Sequence, residues 1–319
     1  MPRSATPADP ARPPTQPPIV SSPLTTPAGS GTGTRGRSAS YADAALGLLA
    51  DRPLVVLTGA GLSTDSGIPD YRGPDAPPRR PMTYQEFVSG PTAQQRYWAR
   101  SHLGWGRMRR ADPNEGHHVL ARIAPDLLIT QNVDGLHERV GTPRLVALHG
   151  RIADVVCLSC RRTSARSALH EEMGRLNPDW HERHPSVHIR PDGDVDLEDT
   201  DGFVVPACGC GGVLKPDVVF FGENVPKDRV AHCYAAVDSL AERDGALLVV
   251  GSSLTVMSGL RFVRRAASLG VPVVIANRGE TRGDPLATYA VETGCTPFLS
   301  ALEQRRSAAA AATGLEKSG

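Results

Sequence analysis

Residues 55–73, VVLTGAGLSTDSGIPDYRG, join an apolar run to a glycine-containing turn and decide the fold class. This pattern is typical of a buried strand followed by a phosphate-binding turn. Gly59 and Gly61 carry no side chain where the backbone must approach a pyrophosphate, and the next helix start offers N–H groups to it. The dinucleotide fingerprint G-x-G-x-x-G fails, because Thr64 stands at the third glycine position. The polar loop that follows is long enough to fold over a dinucleotide.

Four more apolar runs lead into polar turns. They cover residues 127–129, 145–148, 246–250 and 271–276, and the turns after them include 130–134, 149–150, 251–253 and 277–279. Helical stretches such as 41–50 and 260–269 lie between the runs, which predicts buried parallel strands. Ligands bind at the carboxyl edge of such sheets. We therefore predict an α/β protein with a Rossmann-like, doubly wound parallel sheet and a ligand crevice at that edge.

The composition gives no support for a nucleic-acid or membrane partner. Lys and Arg total 35 against 34 for Asp and Glu, which gives no electrostatic reason to expect nucleic acid or an anionic membrane. No stretch approaches the run of about 18 apolar residues that spans a bilayer. Four of the six cysteines form two close pairs, which indicates a metal site rather than a disulfide framework. We expect a soluble cytoplasmic monomer in a reducing compartment.

Both ends of the chain are predicted to be disordered tails. Residues 1–38 contain nine prolines, four arginines and a single acid, a composition that buries too little apolar surface to fold. An organelle transit peptide is an alternative, but the prolines oppose its amphipathic helix. Residues 305–319, with their run of five alanines, are interpreted as a frayed tail.

The cysteine pairs predict one structural zinc ion. Cys157 and Cys160 have the C-x-x-C spacing of a zinc half-site, in which a short turn directs both sulfurs at one ion. The second pair, Cys208 and Cys210, is one residue shorter, and the glycines at 209, 211 and 212 would relieve the tighter geometry. A metal-free thiol cluster, or a site that borrows a histidine, remains the alternative. Cys233 is predicted to be simply buried.

These motifs, in this order, resemble the sirtuin family over about residues 40–300. The resemblance is carried by the 59–63 and 67–72 segments, TQNVD at 130–134, LHG at 148–150, the cysteine pairs, KPDVVFFGE at 215–223, GSS at 251–253 and Asn277. The segments 70–72, 95–100 and 191–194 resemble the class II, mitochondrial-type branch. The resemblance implies a catalytic domain at 39–304. Its large domain comprises 39–78, 117–150 and 216–304, with a helical insert at 79–116 and a zinc-binding insert at 151–215.

The resemblance implies an NAD-dependent protein-lysine deacylase that consumes NAD and transfers the acyl group to ADP-ribose. His149 would be the general base, a role that its ordinary pKa suits. Asn132 would orient the ribose and a water, Asp134 would hold the nicotinamide carboxamide, and Tyr71 would cover the reacting carbon. The full set of implied NAD-binding residues is Gly59, Ala60, Gly61, Ser63, Thr64, Asp70, Tyr71, Arg72, Gln131, Asn132, Asp134, His149, Gly251, Ser252, Ser253, Asn277, Arg278, Gly279 and Cys295.

Acyl-lysine peptides are the implied partner. A peptide would add as an extended strand between two edges, which the resemblance assigns to Phe220, Phe221, Gly222 and Glu223 on one side and Val256 on the other. An arginine among Arg96, Arg100, Arg107, Arg109 and Arg110 could face the acyl tunnel, although a solvated, charged helix face is the favoured interpretation. His117, His118 and His137, and the group His181, His184 and His188, are interpreted as structural or solvated.

Two further functions stay open. The activated C1′ of the ribose could be intercepted by a protein nucleophile, which would make the chain a mono-ADP-ribosyltransferase. The chain could also be an NAD or ADP-ribose sensor without turnover. A dehydrogenase is disfavoured by the failed fingerprint, and the preferred acyl group cannot be read from the sequence.

Overall fold

The computed structural model describes residues 36, 38–70, 81–185, 195, 197 and 199–316. Short 3-10 turns at Ala60–Leu62, Thr64–Ser66 and Asp284–Leu286 supplement the strands and helices. The strands are β1 (Leu54–Thr58), β2 (Leu127–Thr130), β3 (Leu145–Ala147), β4 (Gly150–Cys157), β5 (Thr163–Ala165), β6 (Leu214–Val218), β7 (Ala246–Val250), β8 (Val273–Asn277) and β9 (Tyr289–Glu292). The helices are α1 (Ala39–Leu49), α2 (Tyr84–Phe87), α3 (Pro91–Arg110), α4 (Glu115–Ile123), α5 (Leu136–Arg139), α6 (Arg166–Leu176), α7 (Trp180–Arg183), α8 (Lys227–Glu242), α9 (Met257–Ser268) and α10 (Cys295–Glu316).

The large sheet has six parallel strands in the order β3-β2-β1-β7-β8-β9. The chain moves outward from β1 to β3, returns to the centre, and moves outward again from β7 to β9. Neighbouring strands β1 and β7 therefore lead into loops that turn in opposite directions. This is the topological switch point, where open α/β sheets bind their ligands.

The strand side chains alternate between two apolar cores, one on each face of the sheet. In β1, Leu54 and Val56 belong to the core covered by α1, α4 and α10, whereas Val55 and Leu57 belong to the core covered by α8 and α9. Strands buried on both faces need the continuous apolar runs that the sequence shows. The predicted doubly wound α/β fold is confirmed.

The strand predictions agree with the structure to within a few residues. The 246–250 run matches β7, and the run at 271–276 becomes a strand that begins after Pro272, a residue that donates no backbone hydrogen bond. β9 was missed, because its four residues, Tyr-Ala-Val-Glu, are too few and too polar to form a recognisable run.

A second, three-stranded sheet in the order β5-β4-β6 forms the base of what we call the small lobe, together with α3, α6 and α7. Its core joins Trp98 and Leu103 of α3 to Val155 of β4, Leu169 of α6 and Trp180 of α7. The helical and zinc-binding inserts predicted from the sequence thus share one core. Their boundaries within the chain remain a prediction.

The structure corrects both predicted tail boundaries. Gly36 pairs with Val291 beside β9, and the Ser38 hydroxyl accepts from the Tyr41 N–H to cap α1, so the folded region begins before residue 39. The predicted tail at 305–319 is wrong as far as Glu316, because α10 continues through it. Alanine has the highest helix propensity of any residue type, so the alanine run favours a helix. Arg306 anchors this helix by donating to the carbonyls of Leu49 and Arg52.

No helix in the described part of the chain is both long and apolar enough to cross a bilayer.

Candidate active site

A cavity of about 680 Å³ opens at the switch point between β1 and β7. We call it the crevice. Turns that follow β1, β2, β3, β7 and β8 all contribute to its wall, as the sequence predicts. A volume of this size lies in the range of small-molecule and cofactor sites.

The glycines of the first turn are required by a neighbouring turn. The Gly59 N–H donates to the Val250 carbonyl and the Gly61 N–H to the Gly251 carbonyl, at 3.1 and 2.8 Å. A Cβ on Gly59 would lie 2.7 Å from the Ser252 Cβ, and one on Gly61 would lie 3.0 Å from the Gly251 Cα. The turns after β1 and β7 therefore pack backbone against backbone, which fixes the floor of the crevice.

Asn132, Asp134 and Ser63 form one hydrogen-bonded group above that floor. The Asn132 amide donates to the Gly59 carbonyl and to the Ser63 hydroxyl, both at 3.0 Å, and the Ser63 hydroxyl donates to Asp134 Oδ2 at 2.7 Å. The Leu136 N–H donates to Asp134 Oδ1. Burial raises the pKa of Asp134, while these two bonds to its carboxylate oppose the rise.

Gln131 links the second turn to the turn after β7. Its amide donates to the Ser252 hydroxyl at 2.8 Å and to the Thr58 carbonyl at 3.3 Å. A Cβ on Gly259 would lie 2.5 Å from Gln131 Oε1, so a larger residue at the start of α9 would displace the Gln131 amide. These contacts hold the Gln131 side chain against the crevice wall.

The geometry around His149 fixes its tautomer. Its Nδ1 lies 2.8 Å from the Gln131 carbonyl oxygen, which can only accept, so Nδ1 carries the proton. Nε2 is then an acceptor, and it lies 2.7 Å from the Ser258 hydroxyl at the start of α9. Burial lowers the pKa of His149 below 6.5, against the opposing bond to Gln131, with a smaller contribution from Arg229. The imidazole is thus a neutral base with its lone pair in the crevice wall.

Ser258 was missed by the sequence reading. A serine inside a helical stretch carries no signal of its own, and the long-range pairing that places it beside His149 is visible only in the structure.

The far end of the crevice is formed by the turn after β8. The Asn277 amide donates to the carbonyls of Arg278 and Gly279, and the Gly279 N–H donates to Glu292 in β9. This turn is therefore held in shape by hydrogen bonds of its own Asn277 side chain and of Glu292 from β9.

Most of the predicted NAD-binding residues line the crevice together. The residues that do so are Gly59, Ala60, Gly61, Ser63, Asp70, Gln131, Asn132, Asp134, His149, Gly251, Ser252, Ser253, Asn277, Arg278 and Gly279. Thr64 and Cys295 are not part of this wall. The Thr64 hydroxyl turns back to the Gly61 carbonyl, and Cys295 is buried beneath the Gly251 turn, where a Cβ on Gly251 would lie 2.8 Å from its sulfur. Tyr71 and Arg72 lie outside the described residues.

The predicted peptide edges both border the crevice. The segment 220–223 is a turn rather than a strand, because β6 ends at Val218 and the Glu223 N–H bonds back to the Phe220 carbonyl. Phe221, Val256 and Met257 expose large apolar side chains at this rim. On one side the rim is already paired, since the Tyr84 N–H donates to the Phe221 carbonyl.

Helix α3 contributes a wall that the sequence reading left unassigned. Tyr97, Arg100 and Ser101 line the crevice. Of the five candidate arginines, Arg100 borders the cavity, with its Nε donating to the Val195 carbonyl at 2.7 Å, whereas Arg96, Arg109 and Arg110 are exposed.

The four predicted cysteine ligands come together in the small lobe. Their sulfurs all lie within 4.8 Å of one another, with 3.6 Å between Cys157 and Cys210 and 3.8 Å between Cys160 and Cys208. Four thiolates around zinc would be spaced by about 3.8 Å, given Zn–S bonds of about 2.3 Å. Backbone N–H groups of Cys160 and Ser159 help to lower the pKa of Cys157 to about 6, which favours the metal-binding thiolate. The donor set fits a structural zinc ion.

The shortened second pair is accommodated by the glycines that follow it. Gly211 has a φ of +79°, and a Cβ on Gly212 would lie 2.6 Å from the Cys157 sulfur. The Gly211 N–H donates to the Cys208 carbonyl, which closes a tight turn across the shorter Cys208–Cys210 spacing. Cys233 lies elsewhere and is fully buried, as predicted.

This architecture defines the chain as a dinucleotide-type α/β protein with a four-cysteine lobe. A model of the Sir2 family matches residues 59–258. NAD-dependent protein deacetylase 1 of Mycobacterium avium (strain 104) is 50% identical over 263 residues, which covers 80% of this chain and 92% of the relative. NAD-dependent protein deacetylase 1 of Streptomyces coelicolor is 52% identical over 261 residues, covering 79% and 85%.

A solved structure of Sir2 with a p53 peptide and NAD+ matches with a TM-score of 0.62 and 28% identity, covering 82% of this chain and 96% of that chain. The chain belongs to the Sir2, or sirtuin, family.

Proposed function

We propose that the protein is an NAD-dependent protein-lysine deacylase. The observation that carries this function is the joint placement of His149 and Asn132. Both line one crevice at the switch point, and Gln131, which accepts from His149, is the neighbour of Asn132 in the chain. The curated relatives are named NAD-dependent protein deacetylases, and the Sir2 structure above holds an NAD and a peptide.

In this proposal NAD is a substrate whose nicotinamide leaves as the acyl-lysine amide oxygen bonds to C1′ of the ribose. The C1′–N bond breaks with its electron pair on nicotinamide. A ribose hydroxyl then bonds to the acyl carbon, a water supplies one oxygen, and the acyl–nitrogen bond breaks to release lysine as the free amine, which leaves the acyl group as an ester on the ADP-ribose. His149 Nε2 would accept a ribose hydroxyl proton after its hydrogen bond with the Ser258 hydroxyl has broken. Because burial lowers its pKa, the imidazole stays unprotonated and ready to accept that proton at neutral pH.

The remaining residues would hold the substrates. Asp134 and Asn132 would bind the nicotinamide end, a role supported by their hydrogen bonds with Ser63. The turns at 251–253 and 277–279 would bind the phosphates and the adenosine ribose. The rim formed by 220–223 and Val256 would take the peptide, and the four cysteines would hold a structural zinc ion that clamps the lobe.

Three finer assignments complete the proposal. The class II branch is supported by the sequence at 70–72. A cytoplasmic location without nucleic acid or membrane partners is supported by the near-neutral charge balance and by the low number of cysteines, and the monomeric state stays a prediction. The domain division into a large domain at 39–78, 117–150 and 216–304 with inserts at 79–116 and 151–215 is supported by the two separate sheets.

The test is nicotinamide release from NAD with a panel of acyl-lysine peptides, from acetyl through long-chain, lipoyl and carboxylated forms. We expect release that requires an acyl peptide and is absent with the same peptide carrying unmodified lysine. Transfer of labelled ADP-ribose to protein without an acyl peptide would instead support the transferase. NAD binding without any release across the panel would support the sensor, and either result would overturn the proposal.

A further inference from the structure

Three histidines of the small lobe meet at a point that is separate from the four-cysteine site. His102 comes from α3, His170 from α6 and His181 from α7, and one ring nitrogen of each lies within 4.8 Å of the others. The ring centroids of His170 and His181 are 4.2 and 5.0 Å from that of His102. We propose that His102, His170 and His181 bind a second metal ion, a divalent transition metal of the zinc type.

Two of these side chains lack the partners that buried imidazoles normally have. His102 is 1% exposed, and among the described residues neither its Nδ1 nor the buried Nδ1 of His170 has a hydrogen-bond partner. A buried polar group without a partner costs about 1–3 kcal/mol, so native structures rarely leave two of them side by side. A bound ion would give such nitrogens their missing partner.

The three rings also have the chemistry of ligands. Burial, with neighbouring histidines and Arg166 as smaller contributors, lowers the pKa of His102 to about 3, and burial lowers the pKa of His170 to about 4. Both rings are therefore neutral near pH 7 and hold a lone pair that a metal can use. Imidazole suits zinc, copper and nickel, whereas magnesium and calcium prefer oxygen ligands.

The geometry requires a small contraction. Imidazole nitrogens bound to one zinc ion at about 2.0–2.1 Å lie about 3.3 Å apart in a tetrahedral site, so the three side chains must close by about 1.5 Å at most. His181 is exposed on a four-residue helix, which makes it the side chain that can move. Three protein ligands leave the fourth position to water or an anion, unlike the closed four-cysteine site.

One nearby charge opposes the ion. Arg166 is fully buried, stacks on Trp98 and Trp105 with its guanidinium carbon 4.7 and 5.2 Å from the ring centroids, and has no acidic partner among the described residues. Its positive charge disfavours weakly held cations, and so selects for metals that bind imidazole strongly. Its Nε and Nη1, which have no partner within the described part of the chain, would favour an anion rather than neutral water at the fourth position.

The histidine site lies next to the wall of the crevice. His102 directly follows Ser101, which lines the cavity and accepts from Arg166 through its carbonyl and hydroxyl oxygens. A metal ion on His102 would tie α3 to α6 and α7 just behind that wall. The inference does not depend on the proposed function, because it concerns metal binding alone.

The experiment uses the full-length protein with its cysteine site saturated with zinc and excess zinc removed. Cobalt(II) is then titrated in and followed by visible absorption and by the bound metal per chain. We expect one further ion per chain, with d–d bands but without the thiolate-to-cobalt charge-transfer band that a cysteine site would give.

His181→Ala is the informative variant, because this exposed side chain can be removed without disturbing the core. We expect it to lose the added cobalt ion while keeping its zinc and its circular dichroism spectrum. His232→Ala, which removes an exposed histidine on α8, is the matched control and should bind as the parent does. Cobalt binding that is unchanged in His181→Ala, absent from the parent, or accompanied by the charge-transfer band would overturn the proposal.

Discussion

In the crevice, the proposed reactive side chains directly follow strands of a single sheet, whereas in the small lobe the candidate metal ligands come from segments far apart in the chain. Asn132 and His149 are placed by β2 and β3, whose carboxyl ends meet by virtue of parallel pairing alone. His102, His170 and His181 are placed by three helices that pack around a shared apolar core. One region is therefore ordered by hydrogen-bonded register, and the other by side-chain packing.

This difference predicts which substitutions lower activity and which lower the free energy of unfolding. Crevice residues should be replaceable with large losses of activity and small losses of folding free energy, because the sheet holds the backbone whether or not they are present. Lobe residues that bind the zinc ion or belong to the apolar core should behave in the opposite way. Four substitutions or conditions test this division, in order of decreasing expected effect.

Replacing His149 by alanine should have the largest effect. Loss of the general base lowers kcat by about 10²–10⁴-fold, while the melting temperature should change little because the strands on both sides remain paired. Acyl-dependent nicotinamide release and a thermal melt measure the two quantities. His118→Ala, which removes an exposed histidine of α4, is the control. A variant that keeps parental kcat would break the assignment of the base.

Replacing Cys160 by serine should destabilise the small lobe. Removing one thiolate opens the four-sulfur site, and loss of a structural metal costs on the order of 4 kcal/mol of unfolding free energy. Metal analysis after dialysis and urea unfolding measure the change. Ser159→Ala, an exposed neighbour that leaves the four sulfurs in place, should keep both the metal and the stability. Equal zinc content in the two variants would argue against the cysteine site.

Replacing Gly150 by alanine should cost about 3 kcal/mol or more. The residue has a φ of +78°, and an added Cβ would lie 1.9 Å from the Asp217 carbonyl oxygen of β6, so strain and a backbone clash combine. Gly270→Ala is the matched control, because it has a similar φ of +70° but no atom within 4 Å. The control should lose only about 1–2 kcal/mol. Chemical unfolding curves that coincide for the two variants would show that the clash is relieved at no cost.

Acidification should reveal the buried histidines of α4 and α5. Burial lowers the pKa of His117 from 6.5 to about 4 and that of His137 to about 3, so the unfolded chain binds their protons first as the pH falls. Each such histidine therefore removes about 1.4 kcal/mol of unfolding free energy per pH unit between about pH 6 and about pH 4. Above pH 6.5 both states are neutral and the effect vanishes. His117→Gln should flatten the pH dependence by that amount, and exposed His118→Gln should leave it unchanged.

The crevice could be predicted from the sequence because its information is local. The apolar run before Gly59 predicts a strand, and the residues after it predict the edge that binds ligands. Parallel pairing brings the carboxyl ends of five strands together, so this edge can be predicted without knowing the tertiary packing. Thr64 and Cys295 are not among the residues that line the crevice, and their contacts with NAD, that of Cys295 through its backbone, stay predictions. The direction of the Thr64 hydroxyl and the depth of the Cys295 sulfur depend on local turn geometry that the sequence does not show.

The small lobe was harder to predict for the same physical reason. The cysteine pairs were visible because each half-site is short, but the histidine grouping was not. The sequence places His181 beside His184 and His188, whereas the fold places its ring beside His102 and His170. The prediction of a tail at 305–319 was wrong for another reason. An alanine run is typical of low-complexity sequence, but its high helix propensity and the hydrogen bonds of Arg306 make it a helix.

His149 also occupies a mechanical position. It stands between β3, the edge of the large sheet, and β4, the centre of the small one, and its carbonyl accepts from the Val219 N–H beyond β6. A rotation of one sheet against the other therefore pivots close to the imidazole. A misplacement of about 1 Å can cost about 10²-fold in rate. A change in the angle between the two sheets should therefore change the rate of proton transfer to His149.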